Sequence, residues 1–364
     1  MGPLNLLGAV VALAAAAQAP SYPELLHRYA AGDRAAAVAE LDGFDDGAIA
    51  RELDALRDRA GARCPSCDHG AALAALRAAV MLHTDRDELE RRPLDVSGER
   101  APSCGPPVHA LFAERALVPL LIDEAGREFA RRWYLAMGLR SLGDLCFDDG
   151  RRFVGAGLKR FARDKELLLT RGLLAEGVAT VARLRQLSLG GPTPRDYDQV
   201  RQQQLDGYAA LTEAGKAFEQ ALAADASYEE ALLHLGRVRF RLGQLGPALQ
   251  ALGPLVAASR DQERLYLAQL FVGRVHEAAG RNADAERAYE NAAVVEPESQ
   301  AVAMALAHLR LMAGDSSGSR EILDRELGRA ARRTREDPFW NYQFGLARRA
   351  DPLFEDLRNE ASAP

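Results

Sequence analysis

Small and large side chains recur along the second half of this chain at a spacing near thirty-four residues, and that spacing narrows the possible folds more than any other feature. Ala214/Phe218/Ala221, Ala248/Leu252 and Ala285/Tyr289/Ala292 each place a large residue four positions after a small one. Gly243, Gly280 and Gly314 stand at matching offsets, as do Gly236, Gly273 and Ala307 upstream of them. Ala214 to Ala248 and Gly280 to Gly314 each span thirty-four residues, and Gly243 to Gly280 spans three more. A fixed period of this length belongs to stacked supersecondary units, none of which buries a core alone.

The units read as helices. Glu229–Leu242 and Pro247–Ala258 carry apolar residues at three- and four-residue spacing, which is one face of a helix. Gly243 and Gly280 follow such runs, where a helix end favours a residue that tolerates positive φ. Ala248 and Ala285 are small, as close helix crossings require. Period-two runs of β-branched or aromatic residues are scarce, so the expected class is all-α. The chain has 364 residues, of which 48% are hydrophobic and 27% charged, enough for a large core or an extended solenoid. A net charge of −6 argues against nucleic acid as a partner, since such binders present a basic face.

Leu232-x-x-Leu235-Gly236, Gly243 and Ala248, followed by Gly273, Gly280, Ala285, Tyr289, Ala292 and Pro297, resemble tetratricopeptide repeats. The likeness covers residues 229–299 best and extends less fully to 300–327 and to the half-repeat 211–227. Ala226 stands where that family prefers proline, and Arg239 where it prefers an aromatic. The resemblance implies an α-solenoid: antiparallel helix pairs stacked into a superhelix, with a concave groove for a partner. By alignment it places Arg237, Phe240, Arg241, Leu270, Arg274, Met304, His308 and Leu311 on the groove side, and Ala301 with them. Arg237, Arg274 and His308 share one phase, so they would form a row of donors for the carboxylates or carbonyls of an extended peptide.

Four segments are expected. Residues 1–19 form a signal peptide, 20–190 a region of degenerate helical hairpins, 195–333 the repeats, and 334–364 a C-terminal capping segment. Leu4–Ala17 is uncharged and apolar, too short to span a bilayer but suited to a secretory leader that ends near Gln18. An exported, periplasmic or secreted protein follows, with a cytoplasmic one as the alternative. Gly32 and Ala37 repeat the offsets of the later units, the mark of a worn repeat. Prolines and glycines break the helices at Arg91–Pro107 and at Gly190–Pro194. The aromatics Phe339, Trp340, Tyr342 and Phe344 are expected to cover the open end of the stack, where a terminal unit would otherwise be bare.

Cys64-Pro-Ser-Cys67 allows a disulfide, a redox couple or half of a metal site. A redox enzyme carries this motif in a βαβ unit, which is missing here, and a zinc site would need two further ligands. Disulfide chemistry among Cys64, Cys67, Cys104 and Cys146 is the leading expectation, with the pairing open. Asp68 is placed to cap the following helix. Three motifs mislead. Gly314-Asp-Ser316-Ser-Gly318 copies a nucleophile elbow but falls between two repeat helices. His276-Glu277 lacks the second histidine of a zinc-protease helix, and Gly215-Lys216 lacks the rest of a phosphate loop. No catalytic residue, metal or cofactor is assigned. The expected function is a non-enzymatic scaffold that binds a protein or extended peptide, with acidic groups suiting the arginine row. The alternative is a redox or metal-binding envelope protein that uses Cys64 and Cys67, with the repeats as a docking platform.

Overall fold

The computed structural model describes residues 20–61, 68–90, 104, 108–188, 197–330, 336–342 and 344–362. The expected signal segment, Cys64, Cys67, nearly all of the 91–107 loop and the 190–194 break lie outside them. The described residues are helical, with no strand among them. The chain forms two compact units: residues 1–88, 109–119 and 361–364, and residues 89–108 and 120–360.

The first unit opens with a helical hairpin, α1 (Tyr22–Ala30) and α2 (Arg34–Glu40). Ser21 and Glu24 form a reciprocal cap at the start of α1, each side chain meeting the other's backbone N–H. Gly32 turns the chain with φ +99°, and Ala37 five residues later is buried, so the worn-repeat offsets have a physical basis. Then come α3 (Asp46–Gly61), α4 (His69–Glu90) and α5 (Val108–Leu120). Asp68 does cap α4, accepting from the Ala71 N–H at 2.9 Å.

Within this unit His83 is fully buried. Its Nε2 lies 2.9 Å from the Tyr22 hydroxyl and its Nδ1 lies 3.0 Å from Nδ1 of His109. The ring also stacks on Phe112. Burial, with the neighbouring His109, pushes His83 from its ordinary 6.5 down to about 3. A histidine held neutral in the fold stabilises it fully above pH 6.5. That contribution falls as acid protonates the unfolded chain first, and it is gone near pH 3. Between pH 7.5 and 5 the unit is expected to lose about 2 kcal/mol from this group alone, at about 1.4 kcal/mol per pH unit. Urea midpoints for wild type and His83→Gln would check it: the variant should show a visibly flatter pH profile over that range.

The second unit is a stack of helix pairs: α6 (Glu124–Gly143) with α7 (Phe147–Arg160), α8 (Lys165–Ser188) with α9 (Tyr197–Ala224), α10 (Glu229–Arg241) with α11 (Leu245–Ala258), α12 (Gln262–Ala278) with α13 (Asn282–Val295), and α14 (Gln300–Met312) with α15 (Ser316–Ala330). A short helix α16 (Pro338–Asn341), a 3-10 turn (Gly345–Arg349) and α17 (Ala350–Ala361) follow. This is an all-α, tetratricopeptide-like solenoid. In the α10/α11 and α12/α13 pairs a glycine on the first helix receives a large residue from the second. A Cβ on Gly273 would fall 2.3 Å from Tyr289, and one on Gly236 would fall 2.5 Å from Leu252. Gly243, Gly280 and Gly314 turn the chain with φ between +71° and +83°.

The same geometry reaches further back than the family likeness. Gly138 of α6 meets Val154 of α7, with a virtual Cβ at 2.5 Å, and Gly172 of α8 meets Phe218 of α9 at 2.3 Å. The turn between α6 and α7 holds Leu145 at φ 60°, the position that is glycine in the later pairs. Short caps separate the helices here: Asp123 accepts from the Gly126 N–H at the start of α6, and Asp164 accepts from the Leu167 N–H at the start of α8.

Ala285 is fully buried at the α12/α13 crossing, whereas Ala283 on the same helix is exposed. Ala285→Leu is expected to cost about 1–3 kcal/mol through overpacking, and Ala283→Leu to stay within about 0.5 kcal/mol of wild type. Thermal melts of the two variants would check it. Ala301 does not serve as an open-groove comparison, because it is buried and its N–H donates to Asp337 at 2.9 Å.

Candidate functional site

The C-terminal segment does not cover the end of the stack. Instead it turns back and runs along the inner helices of the second unit, in the order α14, α12, α10, α8, α6. Asp337 starts at α14, Tyr342 reaches α10 and α8, Ala347 lies against Gly143 of α6, and α17 continues along α6. Among the described residues, Met312 and Leu327 stay exposed on α14 and α15.

Two buried anchors hold this segment. The first is Asp337. Its carboxylate accepts from the Tyr266 hydroxyl at 2.7 Å, the Ser299 hydroxyl at 2.8 Å, the Ala301 N–H at 2.9 Å and its own chain's Phe339 N–H at 2.9 Å. Ala301 stands in the first turn of α14, where unpaired N–H groups and the helix dipole favour an anion. The local sequence also makes Asp337 the cap of α16, with Pro338 at that helix's first position.

The second anchor is Tyr342, whose hydroxyl lies 2.8 Å from His234 Nδ1. The same nitrogen lies 2.8 Å from Oε2 of Glu176, and Arg237 donates to Oε1 at 2.8 Å. The Tyr342 ring stacks on His234 at 4.5 Å and meets Phe271 edge-on at 5.1 Å, with the Arg237 guanidinium 4.8 Å from its centroid. Glu176 is fully buried; burial opposes its charge, but Arg237 and His234 outweigh it and hold the carboxyl below its ordinary range. Burial, together with Glu176, pushes the Tyr342 hydroxyl well above the ordinary tyrosine value, so it remains a neutral phenol.

The predicted groove residues separate into four groups. The chain's own segment engages Arg237 and Arg274: Arg237 as described, Arg274 beneath the Phe339 ring at 5.9 Å. Arg237 is therefore no open donor; its charge is spent on Glu176. Arg241 is half-buried and donates to Thr180 at 3.0 Å, and burial with nearby Arg237 pushes it down to about 10. Phe240 is also half-buried. Leu270 is a correction: it is fully buried in the core cluster with Phe271 and Tyr289, so it offers no open surface to a partner. Met304, His308 and Leu311 are exposed, at 57%, 54% and 53%. His308 lies 3.3 Å from Glu277 of α12.

Periodicity did not expose Glu176, His234, Tyr266, Ser299, Asp337 or Tyr342. The one local signal was Asp337-Pro338, a helix-start pair too short to show what the carboxylate would meet. Beside the segment a cavity of about 590 Å³ remains, lined by Glu230, His234, Asp261, Arg264, Asn341 and Tyr342 among others. Of the four cysteines, Cys104 and Cys146 form a disulfide, with Cα atoms 5.3 Å apart. The elbow-like Gly314–Gly318 run lies at the α14/α15 turn, where Asp315 accepts from the Gly318 N–H. No group of three or more candidate metal ligands occurs among the described residues, nor any helix long and apolar enough to cross a membrane.

No family model and no curated protein matches the chain. Solved structures do. MamA from Desulfovibrio magneticus RS-1 is similar at 15% identity and a TM-score of 0.43, over 57% of this chain and 98% of that one. PilF from Pseudomonas aeruginosa is similar at 18% identity and a TM-score of 0.43, over 65% and 89%. Another MamA structure gives 17% identity and a TM-score of 0.38, over 51% and 90%. Both are tetratricopeptide-repeat proteins. The repeat assignment for this chain rests on the glycine-to-large-residue contacts described above.

Proposed function

We propose that this protein is a non-enzymatic scaffold of the cell envelope that binds an extended segment of another protein along its concave face. The observation that carries the reading is the course of residues 336–342 and 344–349 across the first helices of the pairs, held by side chains of several repeats. A surface that grips one irregular segment through a carboxylate and a phenol has the means to recognise another. The apolar Leu4–Ala17 segment and the Cys104–Cys146 disulfide support the envelope location, since such bonds persist in oxidising compartments.

The test uses a photo-crosslinking side chain placed at Met304 or Leu311, both exposed on α14, and at Ala283 on an outer helix. In cells, protein adducts are expected from the α14 positions and not from Ala283. Adducts from Ala283 alone would move the binding surface to the convex side. Recovery of the protein in the cytoplasmic fraction with Met1 intact would remove the envelope from the reading.

A further inference from the structure

The geometry points to a recognition rule and to a resident competitor. We propose that the concave face receives short segments carrying a carboxylate followed, five residues on, by a phenol, and that residues 336–342 fill it within the same chain as a displaceable ligand. This rests on the protein-binding reading above and deepens it.

The receptor side belongs to the repeats. The carboxylate position is built from three places: the Tyr266 hydroxyl on α12, the Ser299 hydroxyl that caps α14, and the Ala301 N–H in its first turn. The phenol position is built from Glu176 on α8, His234 and Arg237 on α10, and Phe271 on α12. Buried polar groups that are not hydrogen-bonded are costly, so both positions select for an occupant that supplies an acceptor at one and a hydroxyl at the other. Between the anchors Pro338 is buried and the Phe339 ring meets Phe271 at 6.4 Å, so an apolar pair after the carboxylate is favoured. The next two positions are read less. Trp340 is 60% exposed, although its ring N–H donates to Gln300 of α14 at 3.2 Å, and Asn341 bonds within the segment, to Glu336 at 2.8 Å. The rule is therefore Asp-Pro-Phe, two loosely read positions, then Tyr.

The cavity beside the segment gives a competitor a place to start. It is walled on one side by α10 and α12 and on the other by Pro338, Asn341 and Tyr342, so an incoming chain can contact the receptor before the resident one has left. The resident part is held by the two buried anchors and by the lighter contacts of Phe339 and Trp340, across a helix of only four residues rather than a long helix pair.

The probe is a fluorescent synthetic peptide with the sequence of residues 336–342, titrated into the full chain. Asp337→Ala combined with Tyr342→Ala empties both anchors, and this variant should bind the peptide at least ten-fold more tightly than wild type. A peptide altered to alanine at both anchor positions should bind the variant at least ten-fold more weakly. In wild type, saturating peptide should raise amide hydrogen exchange within 336–342, measured by mass spectrometry. A variant that keeps its helical circular dichroism yet does not distinguish the two peptides overturns the proposal. If the variant loses that signal, the wild-type exchange experiment decides alone, and unchanged exchange under saturating peptide overturns it. Wild type that is a dimer dissolved by the peptide would overturn the intramolecular assignment, making a second copy the source of the segment. Intact cross-links from Met304 and Leu311 alongside failed peptide competition would reject this rule while leaving the scaffold reading in place.

Discussion

Replacing Glu176 with alanine is expected to destabilise the repeat stack by about 3–5 kcal/mol, because it removes a buried carboxylate and leaves the charge it balanced. Glu176 has no solvent exposure, and both of its oxygens are used, one by His234 and one by Arg237. The effect should reach beyond α8 and α10, since the same cluster seats Tyr342. Glu176→Gln preserves shape and part of the hydrogen bonding, so its loss should be smaller. A carboxyl held below its ordinary 4.5 contributes its full share above that value and loses it as pH falls through the lower folded one. The gap between wild type and Glu176→Ala in urea midpoints should therefore be widest near neutrality and narrow below pH 4.5. A gap that widens on acidification would contradict the assignment of Glu176 as the ionised partner.

The second large effect is covalent. Cys104 and Cys146 are 42 residues apart, and Cys146 sits at the N-cap position of α7. Closing a loop of that length restricts the unfolded chain by about 4 kcal/mol in the chain-entropy account. Cys104→Ser should therefore lower the thermal midpoint by several degrees, and the reduced wild type should melt with the variant. Non-reducing electrophoresis would confirm which form is present. A midpoint that a reductant leaves unmoved would show that the bond adds nothing to the native state.

How far the sequence could be read depended on how local each feature was. Gly236 with Leu252 and Gly273 with Tyr289 are sixteen residues apart in the chain and touch in space, so their spacing revealed the pairs directly. Gly172 and Phe218 make the same contact across forty-six residues, because α8 and α9 are long and a break separates them, so the period dissolved. Gly138 and Val154 kept the sixteen-residue spacing, but Leu145 replaced the turn glycine and Val154 is small for its role. The anchors could not be found this way at all. Asp337 meets Tyr266 across seventy-one residues and Tyr342 meets His234 across one hundred and eight, and no periodic signal links such positions. The aromatic content of the C-terminal segment was legible; its destination was not.

A stack of repeats ordinarily has two free ends and comes apart a unit at a time, since each unit touches only its neighbours. Here the return segment ties the last units to the first. Arg140 on α6 pairs with Asp351 at 2.6 Å, a contact between residues 211 positions apart. The line of repeats is thereby closed into a belt, with its buckle at the C-terminus. Fraying at α14 then pulls on α6, so the stack should melt in one transition where an unbuckled solenoid would melt in several. A ribosome delivers the buckle after the repeats, and contacts of such long range form slowly. During synthesis the belt is necessarily open, so the nascent chain presents a vacant concave face that the finished molecule covers.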